Sequence, residues 1–158
     1  MQIKTWQTSN LKIKIQKLSS LLIIYRYKPA LIVVFVSTLD SYRLLSGHPS
    51  LYGESLYINV NGSVNTLWPF GLKVHVDSVS LDRTGSTLYF GALTGTKLYS
   101  MPTSVILYCV NRIVESKSMF VPVDAADLEK RLLESIRLVY DDKPVSDGLS
   151  SDAHGNVW

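Results

Sequence analysis

Asp77 and Asp147 each open a copy of one pattern. In both copies a second Asp follows five residues later, at Asp82 and Asp152, and a Gly three residues after that, at Gly85 and Gly155. An aromatic comes soon after, Tyr89 in the first copy and Trp158 in the second. Two carboxylates brought to one cavity can hold a hard cation, or one of them can act as a general base. Each can equally cap the turn that leads into its strand, which is a structural role. Asp82 and Asp152 differ from these two. Each begins an Asp-x-x-Gly turn at the far end of its strand, and that placement reads as structural.

The remaining reactive side chains form no constellation. His48 lies in a loop beside Pro49, His75 precedes a strand and His154 lies inside a tight turn. No pair of them has metal-ligand spacing, which speaks against a zinc centre. Cys109 is the single cysteine, so neither an internal disulfide nor a thiolate-built metal site can form. Its apolar surroundings, Val105 to Val110, predict a buried, inert thiol. Ser146 beside Asp147 lacks a partner base. No Gly-x-Ser-x-Gly, phosphate loop or dinucleotide fingerprint is present.

Short strands must position these residues. Lys12-Ile13-Lys14-Ile15 alternates like a strand, Ala30–Val36 is a β-branched run fit for burial, and Tyr42–Leu45 is a short return strand. Leu56–Val60 and Ser63–Leu67 flank Asn61-Gly62, a type I′ hairpin signal because both turn residues tolerate positive φ. Asn61-Gly62-Ser63 is also a glycosylation sequon, relevant only to a secreted protein. Val76–Leu81, Thr87–Ala92 and Lys97–Met101 follow as three strands separated by Asp, Thr, Ser and Gly turns. Asp124 opens the one helix expected, with Leu128, Leu132 and Ile136 on one face and Lys130–Glu134 paired outside. That helix is expected to link one blade to the next, and Ile136–Tyr140 to resume as a strand.

A pattern that recurs at long interval, on up-and-down strands of about five residues, points to a β-propeller. The innermost strand of each blade lines a central channel, and Asp77 and Asp147 would stand at one mouth of it. The chain stops on Trp158, where a strand should begin. The expectation is therefore a mostly β fold: a partial propeller with one linking helix. Residues 1–28 form an atypical basic leader and 29–158 the incomplete propeller domain.

Hydrophobic residues make up 46% and charged residues 18% of the 158, which excludes a disordered chain. The net charge of +3 comes from the leader, where Lys4, Lys12, Lys14, Lys17, Arg26 and Lys28 have no acid among them. The rest of the chain is mildly acidic, which argues against a nucleic-acid surface. Arg26, Lys28 and Pro29 break the apolar stretch from Leu18 to Val36. Each piece is too short to span a bilayer, and the leader is also a poor secretory signal.

Asp77–Thr103, reading DSVSLDRTGSTLYFGALTGTKLYSMPT, resembles the major royal jelly protein and Yellow family, most of all its bacterial, dopachrome-tautomerase-related members. Lys143–Trp158, KPVSDGLSSDAHGNVW, is similar to the family's next signature, and Arg43–Ser50 fits as well. The resemblance covers roughly residues 29–158, and residues 1–28 depart from it. It implies a six-bladed propeller, of which this chain would supply about two to three blades, and a small-molecule ligand, with conversion of dopachrome or binding of small aromatic amines or quinones. Asp77 and Asp147 would form the acidic mouth, which suits an amine by charge. Family members are mostly secreted.

The related gluconolactonases imply an alternative, hydrolysis of a sugar lactone with a divalent cation such as calcium. Asp147 would then be a metal ligand and candidate base, and Asp77 stands where those enzymes carry an Asn ligand. A third reading is a non-catalytic truncated product. A chain with about half its blades cannot close a ring. Open edges of Val- and Ile-rich strands then predict weak solubility or self-association.

Overall fold

The computed structural model describes residues 3–8, 11–16, 29, 31–35, 41–66, 73–119, 124–143, 149, 150, 152, 154 and 156. These are mostly antiparallel β-sheet. One four-stranded sheet has the order β1 (Ile3–Thr8), β2 (Leu11–Gln16), β3 (Leu31–Phe35), β4 (Ser41–Leu44). All of its pairings are antiparallel, with Ile13 opposite Phe35 and Val33 opposite Tyr42. The pairing of β2 with β3 joins the basic leader to the strand that follows it.

β5 (Tyr57–Val60) and β6 (Ser63–Thr66) form the expected hairpin. Asn61 and Gly62 sit at φ of 51° and 83°, the left-handed values that a type I′ turn requires.

The second four-stranded sheet carries the first copy of the Asp pattern. Its strands are β7 (Val76–Leu81), β8 (Thr87–Ala92), β9 (Lys97–Pro102) and β10 (Arg137–Asp141), antiparallel neighbours in chain order. Strand alternation divides its residues between two faces. Val79, Leu81, Leu88, Phe90 and Met101 share one face through their cross-strand pairs. Phe90 is fully buried and stacks on Tyr99 at 5.8 Å between centroids. The opposite face is small and polar, with Ser78 paired to Gly91 and Ser80 to Tyr89. Ser78 and Ser80 are both buried.

Two helices cover the apolar face, where one had been expected. α1 spans Thr103–Met119 and α2 spans Ala125–Ser135. Ile106, Cys109 and Val110 of α1 enter the core with Leu128 and Leu132 of α2, Tyr42 and Leu44 of β4, Leu45 and Leu51. The spacing Ile106, Cys109, Val110, Ile113 is one helical stripe. The apolar run Val105–Val110 hides it, because a short continuous run does not by itself tell strand from helix.

α2 begins where the sequence places it. Asp124 accepts from Ala126 N at 3.0 Å and Asp127 N at 3.1 Å, which satisfies two of the orphan donors of the first turn. Leu128 and Leu132 are buried, each contributing about 1.5–3 kcal/mol. Lys130 and Glu134 pair at 3.9 Å in solvent. The expected role of this helix needs correction. It lies inside one sheet, between the third strand, β9, and the fourth, β10, and does not lead from one sheet to another. β9 and β10 are antiparallel neighbours, so the α1–α2 excursion must return the chain to the same sheet edge.

Among the described residues no helix is long and apolar enough to cross a membrane.

Candidate functional site at the Asp77 end of the sheet

β7 starts, β8 ends, β9 starts and β10 ends at one end of the second sheet. Three segments far apart in sequence are tied together there by Thr94, which is 2% exposed. Its carbonyl accepts from Glu54 N at 3.1 Å and Ser55 N at 3.0 Å. Its Oγ1 accepts from Val74 N at 3.2 Å and donates to Val74 O at 3.1 Å. Gly53 lies against this knot. A Cβ there would come 2.2 Å from Thr94 Oγ1 and 2.6 Å from Val74 O, so only glycine fits.

His75 serves the same junction. Its Nδ1 accepts from Gly53 N at 3.1 Å, and the Tyr52 ring meets it edge-on at 4.9 Å. Burial lowers its pKa, with a smaller contribution from the Lys73 charge. The neutral ring is the form that accepts this bond.

Glu54 reaches across to β9. Its carboxylate accepts from Lys97 Nζ at 2.8 Å and from Thr96 N at 3.2 Å and Oγ1 at 3.0 Å. The Lys97 hydrogen bond, followed by that of the Thr96 backbone, holds the Glu54 carboxyl below its usual range. This ion pair links loop to strand and is engaged internally.

Lys143 completes the end of the sheet. Its backbone N donates to Thr96 O at 2.7 Å, beside Asp142 N at 3.0 Å. Its side chain crosses Gly91 on the polar face: a Cβ on Gly91 would meet Lys143 Cε at 3.1 Å. The residue is 7% exposed. Burial lowers its pKa, opposed by the Glu54 charge, so the neutral amine is easier to reach than for a surface lysine. The sequence marks Lys143 only as the start of the second signature segment. Its burial depends on Gly91, which is far away in the chain.

The two aspartates expected to carry chemistry are placed unequally. Asp77 lies near the start of β7, where the pairing with β8 shifts register between Val76 and Ser78. Such bulges bend a strand and re-aim its residues, and they are frequent beside active sites. Asp147, the candidate base and cation ligand, lies outside the described residues. The convergence of the two carboxylates on one mouth is therefore not on view.

Each turn aspartate holds its own turn, although the turns close differently: Asp82 N donates to Thr87 O, five places on, and Asp152 N to Asn156 O, four places on. Asp82 Oδ1 accepts from Ser86 N at 2.7 Å, and its Oδ2 accepts from Ser86 Oγ at 2.8 Å. Asp152 Oδ1 accepts from Asn156 N at 2.9 Å, and its Oδ2 accepts from Asn156 Nδ2 at 2.7 Å. In each copy the residue four places on donates through both backbone and side chain. Gly85 takes φ 72° in the first copy. Burial raises the Asp82 pKa, but the bonds from Ser86, Thr87 and Thr84 outweigh it and leave the carboxyl below its ordinary value.

The histidines stay separate. His48 caps the short 3-10 turn Pro49–Leu51 through Ser50 N at 3.3 Å, and His154 is exposed on the Asp152 turn. Among the described residues no three His, Cys, Asp or Glu side chains stand together as a metal site. Cys109 is fully buried, its Sγ 3.7 Å from Leu128 O, and burial raises its thiol pKa.

The chain matches no protein-family model and no curated protein.

Proposed function

We propose that the chain is part of a Yellow-type propeller, and that the Asp77 end of the β7–β10 sheet contributes to a mouth for small aromatic amines or quinones. The observation that carries this reading is the matched pair of turns. Asp152, like Asp82, accepts through both carboxylate oxygens from the backbone and side chain of the residue four places on, and Asp147 precedes Asp152 by the same five residues that separate Asp77 from Asp82. On this reading the second aspartate pair is the counterpart of the first, with Asp147 placed ahead of its turn as Asp77 is placed ahead of the Asp82 turn. The up-and-down order β7-β8-β9-β10 supports the same reading, since it is the strand order of a propeller blade.

At such a mouth the carboxylates of Asp77 and Asp147 attract a protonated amine by charge complementarity. For an isomerisation of the dopachrome type, Asp147 is the candidate general base that takes a proton from a ring carbon of the ligand while a quinone oxygen is protonated to a hydroxyl.

Calorimetric titration of the full chain with a catecholamine tests this. Binding heat that is lost in Asp77→Asn and in Asp147→Asn is expected. No heat with any catecholamine overturns the reading. Heat with calcium alone, abolished by a chelator, would favour the lactone hydrolase instead.

A further inference from the structure

Strand β10 is exposed along its whole length, on both faces of the sheet. Leu138, Val139 and Tyr140 are 51%, 48% and 54% exposed, an unusual outlay of apolar surface on a sheet edge. β10 pairs with β9 on one side and, among the described residues, is the last strand of the sheet on the other.

The sequence of this edge is Arg137-Leu138-Val139-Tyr140-Asp141. It is its own complement when read backwards. Antiparallel pairing of two copies about Val139 sets Arg137 opposite the partner's Asp141, and Asp141 opposite the partner's Arg137. Leu138 meets the partner's Tyr140 in both halves, and Val139 meets its own counterpart on the two-fold axis. Sliding the register by one residue in either direction breaks both ion pairs and sets a charged residue opposite an apolar one at each end, while apolar pairs with Val139 persist at the centre. Cross-strand pairs of opposite charge and of aromatic with aliphatic residues stabilise sheets, and like charges opposed destabilise them.

We infer that β10 is a self-pairing edge, through which two copies of this chain join their β7–β10 sheets about a two-fold axis at Val139. The occupant is a second copy because the charge order of the strand selects its own reverse; an isologous contact of this kind closes at two subunits. The contact is weak. Five residues a side is far below the roughly 20–30 of a stable interface. The register shift between Leu138 and Tyr140 also adds local twist that pairing must accommodate. Arg137 Nη1 also donates to Glu134 O and Ile136 O at the end of α2, so its guanidinium must share its remaining donors with the partner's Asp141.

Sedimentation velocity of the full chain across a concentration series tests the proposal. A monomer–dimer equilibrium is expected, with Kd on the order of 0.1 mM. Arg137→Asp alone and Asp141→Arg alone each set like charges opposite one another at both ends of the pairing, and each should weaken self-association about tenfold or more. Mixing these two variants restores opposite charges at both ends, so the mixture should associate although neither variant does so alone. Val139→Cys, with Cys109 buried, should form a disulfide-linked dimer under oxidation, and Leu138→Cys should not, because its counterparts are offset across the axis.

A wild type that stays monomeric throughout the series overturns the inference. So does self-association that survives both charge reversals, which would assign the contact to another surface such as the exposed Tyr57 and Val64 of the hairpin. Should either reversal fail to fold by circular dichroism, the contrast between Val139→Cys and Leu138→Cys decides: equal cross-linking, or none, overturns the register.

Discussion

Asp82→Ala should unhook the turn between β7 and β8. The Asp82 carboxylate accepts from Ser86 N at 2.7 Å, Thr87 N at 3.2 Å, Thr84 Oγ1 at 3.0 Å and Ser86 Oγ at 2.8 Å. Thr84 and Ser86 are exposed, so their hydroxyls recover water when the carboxylate goes, and they contribute little. The two backbone donors matter more, since bonds to an ionised acceptor are worth about 1.5–3 kcal/mol each. Solvent screening at an exposed turn discounts even the lower end of that range, leaving about 2 kcal/mol for the pair. For a chain of this length that is a fall in Tm of roughly 4–8 °C. Asp82→Asn keeps an acceptor for the backbone donors and loses only the charge, so about 1 kcal/mol is expected. The pH dependence has a definite sign. The folded carboxyl titrates below its ordinary value, so its contribution is present above the unfolded pKa of about 3.9 and is lost as pH falls through the lower folded value. Urea unfolding followed by circular dichroism at pH 7 and near pH 2 measures both effects. The gap between wild type and Asp82→Asn should be open at the first pH and narrower at the second. A gap that is the same at both, or an Asp82→Ala variant within about 0.5 kcal/mol of wild type, refutes the reasoning.

Gly53→Ala should cost about 2–3 kcal/mol, since its Cβ would collide with Thr94 Oγ1 and Val74 O; urea titration reads it, and a neutral effect would remove the Thr94 junction from the account. Phe90→Ala should cost about 3–5 kcal/mol, because the ring is fully buried between the sheet and the core; the same titration measures it. Asp124→Ala should cost about 1 kcal/mol through loss of the α2 cap, visible as a lower urea midpoint. Cys109 should resist a thiol reagent in the native protein and react stoichiometrically in denaturant; fast native labelling, followed by absorbance, would contradict its burial.

Where one short segment carries the whole signal, the sequence was readable. Asn61-Gly62 specifies its hairpin because few residue pairs accept positive φ twice. β7, β8 and β9 follow from alternation bounded by turn residues, and the Asp82 turn closes on donors within five positions of the aspartate. α2 follows from an N-cap and apolar residues four apart. These features are decided by backbone sterics, capping bonds and periodicity, which act over a few residues and are written in residue order. α1 was hidden for a related reason: its apolar start, Val105–Val110, is compatible with either state, and burial of Ile106, Cys109 and Val110 against the sheet selects the helix. The candidate site was readable in part. Asp77 could be assigned to a strand entry, but the bulge beneath it depends on pairing with β8. Glu54 bonding Lys97, Thr94 tying Val74 to Glu54, and the Lys143 stem lying across Gly91 join residues with no local relation. So does the return of β10 to the edge of β9, across the whole of α1 and α2. Local chemistry determined the hairpin, β7 to β9 and α2 from the sequence alone, while α1 needed burial against the sheet. Which element lies beside which was decided only in three dimensions, because non-local pairing depends on the burial and closure cost of the entire chain.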